Sequence, residues 1–214
     1  MAVAGPLDEH SAALNDELRF RESVRPIQSL NRQLITLLMD LGRSPNLPPG
    51  CTAAGELGRI LREIDPPTRH KLMYCPFALI DAGFRDPDRW SQPRLGTPPI
   101  EDRESPHLQP CIDLARSTFV LAWHLVRSDV IAAEVFLGIS KECASSIRLL
   151  ELQDMQDLAA YNYRWIRPRW LERPRVWRGL INLAQATPTV PHASVGIRGL
   201  QLFLGEMFDE DETP

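Results

Sequence analysis

Lysine is almost missing from this sequence: of 24 basic residues only Lys71 and Lys141 are lysines, and the rest are arginines. Long apolar runs are missing too, and none approaches the roughly 18 residues that crossing a bilayer requires. The first ten residues place Asp8 and Glu9 where a secretory leader needs a basic start and an apolar stretch. Four cysteines, at 51, 75, 111 and 143, form no C-x-x-C pair, and the five histidines are as dispersed, so no zinc-type ligand set is expected. There is no G-x-G-x-x-G, no phosphate-loop Gly-Lys-Ser/Thr, no H-E-x-x-H and no G-x-S-x-G. These absences predict a cytoplasmic chain that is not an enzyme, holds no cofactor or metal, keeps off membranes and buries its cysteines as free thiols.

What is present describes a globular protein. The 214 residues are 43% hydrophobic and 24% charged, with a net charge of -4. That balance excludes wholesale disorder and argues against coating nucleic acid by bulk charge. Arginine in place of lysine suits planar, two-pronged contacts to phosphate or carboxylate. A GC-rich genome produces the same skew, so composition alone does not decide.

Helical periodicity runs through most of the chain, and the fold class is all-α. Residues 1-22 read as a loose N-terminal segment with helix only in its later part. A first helical unit covers 23-92. It opens with Pro26 in a first turn, and Ile27, Leu30, Leu34, Ile35, Leu38 and Leu41 form one face before Gly42. A helix from Cys51 to about Ile64 follows. Asp65-Pro66-Pro67 and Asp86-Pro87 each pair a capping carboxylate with a proline fit for a first turn. Residues 93-110 hold five prolines and few apolar residues, and read as a linker or long loop. The second unit, 111-207, begins with the most hydrophobic helix, Ile112 to Val126. Helices then run to Leu137, from Lys141 to Leu150, from Leu152 to Ala160, from about Pro174 to Ala186 and from about Ala193 to Met207. An acidic tail, 208-214, closes the chain.

The halves echo each other. Pro87 and Trp90 share the spacing of Pro174 and Trp177, with Tyr74 and Tyr161 in the same relation to them. Leu41-Gly42 and Cys51 resemble Leu137-Gly138 and Cys143, at the cost of a gap near 45–50. A duplicated helical unit accounts for this order; two unrelated stretches sharing cap-proline punctuation are the alternative.

Two segments carry candidate chemistry. From 164 to 178, six arginines (Arg164, Arg167, Arg169, Arg173, Arg175 and Arg178) and Glu172 alternate with Trp165, Trp170 and Trp177. Clustered guanidinium groups suit phosphate contact, with tryptophan as support; tryptophans anchoring a core beneath a solvated arginine rim are the other reading. From Ser128 to Leu150 the outline is helix, turn at Gly138, helix, which would offer Lys141, Ser145 and Arg148 to a groove. Glu134 stands where that motif takes a small residue, and a plain helical corner fits as well. Asp81, Asp86 and Asp88 cluster, but Asp86 is explained as a cap. His124, beside Trp123, reads as a core or boundary residue.

Across Phe119 to Trp170 the order of features resembles the FlhD family of flagellar transcriptional regulators. The residues carrying it are Val120-Leu121-Ala122, the polar turn Arg127-Ser128-Asp129, Ala132-Ala133 and Phe136-Leu137-Gly138-Ile139-Ser140-Lys141-Glu142, then Leu152, Met155, Leu158 and the stretch from Arg164 to Trp170. Leu72 to Phe77, with Cys75, resembles the family's cysteine-containing segment. The resemblance implies an all-helical regulator that dimerises and binds DNA with a partner subunit, and it places the turn at Gly138 and Arg164, Arg167 and Arg169 in DNA or partner contact. This chain is about twice the family's length, so its halves would form a pseudo-dimer internally, and homo-oligomerisation is left open. Glu134 and Glu142 place negative charge near the groove. A helical adaptor that binds protein but not DNA is the second expectation.

Overall fold

The computed structural model describes residues 6–44, 52–91, 93 and 105–186, with side chains described from Val24 onward. The linker expected at 93-110 lies largely outside the described residues, as do the helix expected at 193–207 and the acidic tail. The described chain is mostly helical. In the first half α1 spans Pro6–Leu41, α2 Thr52–Glu63, α3 Pro66–Met73 and α4 Pro87–Ser91, with a two-residue strand β1, Ile80–Asp81, before α4. In the second half α5 spans Leu108–Ser128. The short α6, Val130–Ala132, continues as a π-helical turn, Ala133–Leu137, and α7 (Lys141–Leu149) and α8 (Leu152–Asn162) follow. A 3-10 turn, Tyr163–Trp165, leads to strand β2, Arg167–Pro168, and α9 spans Pro174–Ala186.

The caps read from sequence, Asp65 and Asp86, are where the side-chain chemistry puts them, and Ser140 caps a helix in the same way. Asp65 accepts the Thr68 N–H at 2.9 Å and starts α3, Asp86 accepts the Arg89 N–H at 3.2 Å at the start of α4, and Ser140 accepts the Cys143 N–H at 3.2 Å at the start of α7. Asp129 caps α6 through the Ala132 N–H. Pro26 corrects the expected start of the first helix: α1 begins at Pro6 and runs through the proline. A proline ring removes one hydrogen bond but need not end a helix held on both sides by packing. Phe77 to Leu79 form an irregular, buried segment that leads into β1 at Ile80.

One hydrophobic core serves both halves. Val24, Ile27, Leu34, Ile35 and Leu38 of α1 share it with Leu114, Phe119 and Val126 of α5. Trp90 lies at its centre, stacked on Phe84 with ring centres 5.8 Å apart and edge-on to Phe119 at 5.3 Å and Trp165 at 5.4 Å. Such pairs add roughly 0.5–1.5 kcal/mol each beyond area burial. No described helix is long and apolar enough to cross a membrane. His124, expected in the core or at its boundary, is exposed on α5.

Several element boundaries of the two halves share a fixed offset. Matched positions lie 87 residues apart: Leu41 and Ser128 end α1 and α5, Ile80 and Arg167 open the strands, and Pro87 and Pro174 open α4 and α9. The left-handed residues of the two turns match as well, Gly83 at φ 68° and Trp170 at φ 56°. Each turn is closed by the same bond, Asp86 N–H to the Gly83 carbonyl at 3.0 Å and Arg173 N–H to the Trp170 carbonyl at 2.9 Å. Leu41-Gly42 and Leu137-Gly138, which resemble each other as letters, occupy different places: the first ends α1, while the second ends the π-helical turn with Gly138 at φ 69°.

Burial also sets the cysteine chemistry. Cys75 is 1% exposed, and desolvation pushes its thiol up to about 12. Cys143 is buried and raised by the same cause, while Cys111 is half-buried. Since the thiolate is the reactive form, a maleimide at neutral pH is expected to label Cys111 in the native chain and to spare Cys75 until denaturant is added. Peptide mass mapping reads this out, and native labelling of Cys75 as fast as Cys111 would contradict the packing.

Candidate functional site

The 80s turn and the 160s–170s segment meet because β1 pairs with β2, antiparallel, Ile80 opposite Pro168 and Asp81 opposite Arg167. The pair is anchored at its edges: Arg169 N–H donates to the Leu79 carbonyl at 2.8 Å and Ala78 N–H to that of Phe136 at 2.8 Å. Asp81 is the local organiser. Its Oδ1 accepts the Gly83 and Phe84 amides at 3.1 and 3.3 Å, and its Oδ2 accepts from Arg167 Nε at 2.9 Å. That bond raises the pKa of Arg167 above its ordinary value.

A cavity of about 330 Å³ lies between the two turns. The first turn supplies Asp81, Gly83, Arg85, Asp86 and Arg89, and the second supplies the wall from Arg167 to Arg173, with Gly138 beside it. Five arginines and three carboxylates therefore line it. Arg89 meets Asp86 at 3.2 Å and lies over the Trp165 ring at 5.4 Å, and Arg167 reaches Glu172 at 3.5 Å. Arg169 is half-buried, with its guanidinium 5.0 Å from the Trp170 ring centre. It also occupies the space beside Gly138, where an added Cβ would lie 2.8 Å from its Cζ.

Trp170 is the strained point of this wall. A bulky residue in the left-handed region costs about 1–2 kcal/mol, which glycine does not incur. The matched turn uses Gly83, and Trp170 instead presents an indole edge-on to Phe77 at 6.1 Å.

Of the arginines singled out by sequence, the cavity gathers Arg167, Arg169 and Arg173. Arg164, Arg175 and Arg178 are exposed away from it, the last two one turn apart on α9. Lys141, Ser145 and Arg148 are exposed on α7; Ser145 Oγ donates to the Lys141 carbonyl at 2.9 Å and Arg148 Nη2 to the Val126 carbonyl at 2.8 Å. The segment before the Gly138 turn is only three α-helical residues and a π-helical turn, shorter than the helix-turn-helix outline expects. Tryptophan as core anchor holds for Trp177, 3% exposed with its Nε1 donating to the Arg169 carbonyl at 2.8 Å. Sequence reasoning missed Arg85 and Arg89. The Pro87/Trp90 and Pro174/Trp177 echo was the signal that could have found them, since it makes the 80s turn the counterpart of the arginine segment. Asp81 and Asp86 are engaged with arginines and backbone amides, and among the described residues no group of three or more His, Cys, Asp or Glu could hold a metal ion. Comparisons of the chain with protein-family models, curated proteins and solved structures find no match.

Proposed function

We propose that this chain is a non-enzymatic, cytoplasmic regulator of transcription of the FlhD type, folded as a pseudo-dimer within one polypeptide and contacting DNA alone or with a partner subunit. The observation that carries the reading is the strand register. Ile80 and Asp81 match Arg167 and Pro168 in the 87-residue register, and each pairs with the counterpart of the other. A two-fold axis imposes that exchange on an isologous interface. The resemblance to FlhD across Phe119 to Trp170 then supplies the function, with exposed arginines meeting phosphates and the Lys141 end of α7 facing a groove.

The arginines to test are those the fold does not use internally. Arg167 is paired with Asp81 and Arg169 braces the Gly138 turn, so Arg175 and Arg178 are the better probes. In a mobility-shift titration with random duplex DNA at about 50 and 200 mM salt, binding is expected to weaken steeply with salt. Arg175→Gln/Arg178→Gln is expected to flatten the slope of log K against log salt by about 2. An unchanged slope, or no binding at the lower salt with or without a partner, would overturn the DNA reading.

One surface favours the second reading, a protein-binding adaptor. Leu149 is 85% and Leu152 42% exposed at the α7–α8 corner, beside half-buried Trp123. The Trp123 ring lies 4.7 Å from the Arg127 guanidinium and its Nε1 donates to the Leu150 carbonyl. Exposed leucines around a Trp–Arg pair have the composition of an interface anchor.

A further inference from the structure

We propose that the cavity between the two matched turns binds a small phosphorylated dianion, of the phosphate-monoester or pyrophosphate class. The inference goes beyond the regulator reading and does not require DNA contact.

Charge is the first argument. The chain carries a net charge of -4, yet this concavity gathers Arg85, Arg89, Arg167, Arg169 and Arg173 against Asp81, Asp86 and Glu172, an excess of two positive charges. The excess arises from the way the halves differ. Arg85 and Asp86 in one turn match Glu172 and Arg173 in the other, so across the axis each turn meets its own pattern with the signs reversed. These four charges balance. Asp81 and Arg167 form an ion pair, and Arg89, which meets Asp86, and Arg169 bring the lining to its excess of two.

Arg169 is also held in place. The Trp170 indole lies against its guanidinium and glycine at 138 leaves it room, and both residues sit in left-handed backbone. The matched turn shows that glycine serves this geometry without strain, so the turn alone does not require Trp170. A fixed guanidinium loses little freedom on binding an anion, which gives the strained residue a purpose on the cavity wall.

Shape and chemistry narrow the class. At about 330 Å³ the cavity is at the small end of ligand pockets. That volume suits a phosphorylated small molecule. Guanidinium groups that line one cavity from two opposed turns suit a tetrahedral oxyanion, which accepts hydrogen bonds from several directions.

The test is isothermal titration calorimetry of the full chain with pyrophosphate, AMP and inorganic phosphate in turn, at constant ionic strength set with sodium chloride, and with duplex DNA as a separate arm. At least one phosphate probe is expected to bind with one equivalent per chain. Arg85→Gln/Arg173→Gln is expected to weaken it about tenfold or more, and Arg169→Lys, which keeps the charge but loses the fork, by a similar factor. Arg175→Gln/Arg178→Gln is expected to leave it unchanged, with the melting of every variant followed to show that it folds. No saturable binding of any phosphate probe would overturn the proposal, as would binding indifferent to both Arg85→Gln/Arg173→Gln and Arg169→Lys. DNA binding without phosphate binding leaves the regulator reading standing and removes this one; phosphate binding without DNA binding does the reverse.

Discussion

Gly58→Ala is expected to destabilise the fold by about 3 kcal/mol or more, a fall in melting temperature of roughly 6–12 °C for a chain of this size. The sign is the informative part. Alanine is a better helix former than glycine by about 1 kcal/mol, so an unobstructed glycine in α2 would gain from the change. At position 58 the added Cβ would fall on the Leu38 carbonyl of α1, 2.7 Å from its carbon and 3.1 Å from the Gly42 nitrogen. These are backbone atoms in the last turn of a long helix, so no rotamer change relieves the overlap. Gly42 faces the same crossing, where a Cβ would lie 2.6 Å from the Arg59 nitrogen. The control is Gly179→Ala in α9, whose Cβ would meet nothing within 4 Å. That variant is expected to be neutral or stabilising by up to about 1 kcal/mol. Denaturant melts of the two variants read the contrast, and a neutral Gly58→Ala would mean that α1 and α2 do not cross this closely.

Why some of this fold is legible in the sequence and some is not follows from how far apart the deciding contacts are. Asp65, Asp86 and Ser140 bond amides three residues ahead, so their helix starts can be read from a few letters. The apolar face from Ile27 to Leu41 and the helix after Ile112 are likewise local in period. Pro26 misled because local rules place a proline at a helix start, whereas α1 continues through it against a core built by the rest of the chain. The β1–β2 pair was invisible: two residues on each side carry no alternation, and their partners are 86 or more positions away. The cavity inherits that blindness. Its second wall was conspicuous as an arginine and tryptophan segment, but its first wall, Arg85 to Arg89, looked like helix punctuation. Gly138 read as a turn for a recognition helix, and its neighbour in space, Arg169, is 31 positions further along.

Asn31 is expected to be the most sensitive polar residue of the core. Its side chain is fully buried in α1 and satisfies three backbone groups of the segment entering β1. Nδ2 donates to the carbonyls of Cys75 at 3.2 Å and Phe77 at 2.9 Å, and Oδ1 accepts the Leu79 N–H at 2.8 Å. Thr118, the matched position on α5, donates instead to Leu114 of its own helix, so the second half has no equivalent tie at this site. Asn31→Leu keeps the volume and leaves those groups without the bonds Asn31 provides, at about 1–3 kcal/mol each. The total is expected near 4 kcal/mol, a melting temperature lower by about 10 °C. Asn31→Asp separates the donor from the acceptor role. A carboxylate there would face two carbonyl oxygens, so the folded chain favours the protonated acid, whose pKa rises above the unfolded value of about 3.9. The unfolded chain then releases its proton first, and the stability of the variant falls as pH rises above about 4 until the folded group also ionises. The penalty of Asn31→Leu relative to the parent should stay flat across the same range. Leu79 in turn accepts the Arg169 N–H, so the tie runs from α1 through β1 to the cavity wall. Hydrogen exchange at the Leu79 and Arg169 amides is therefore expected to accelerate together in Asn31→Asp, more at pH 8 than at pH 5 once intrinsic rates are divided out. If Arg169 keeps its protection while Leu79 loses it, the cavity wall is held by α9 and Trp177 alone.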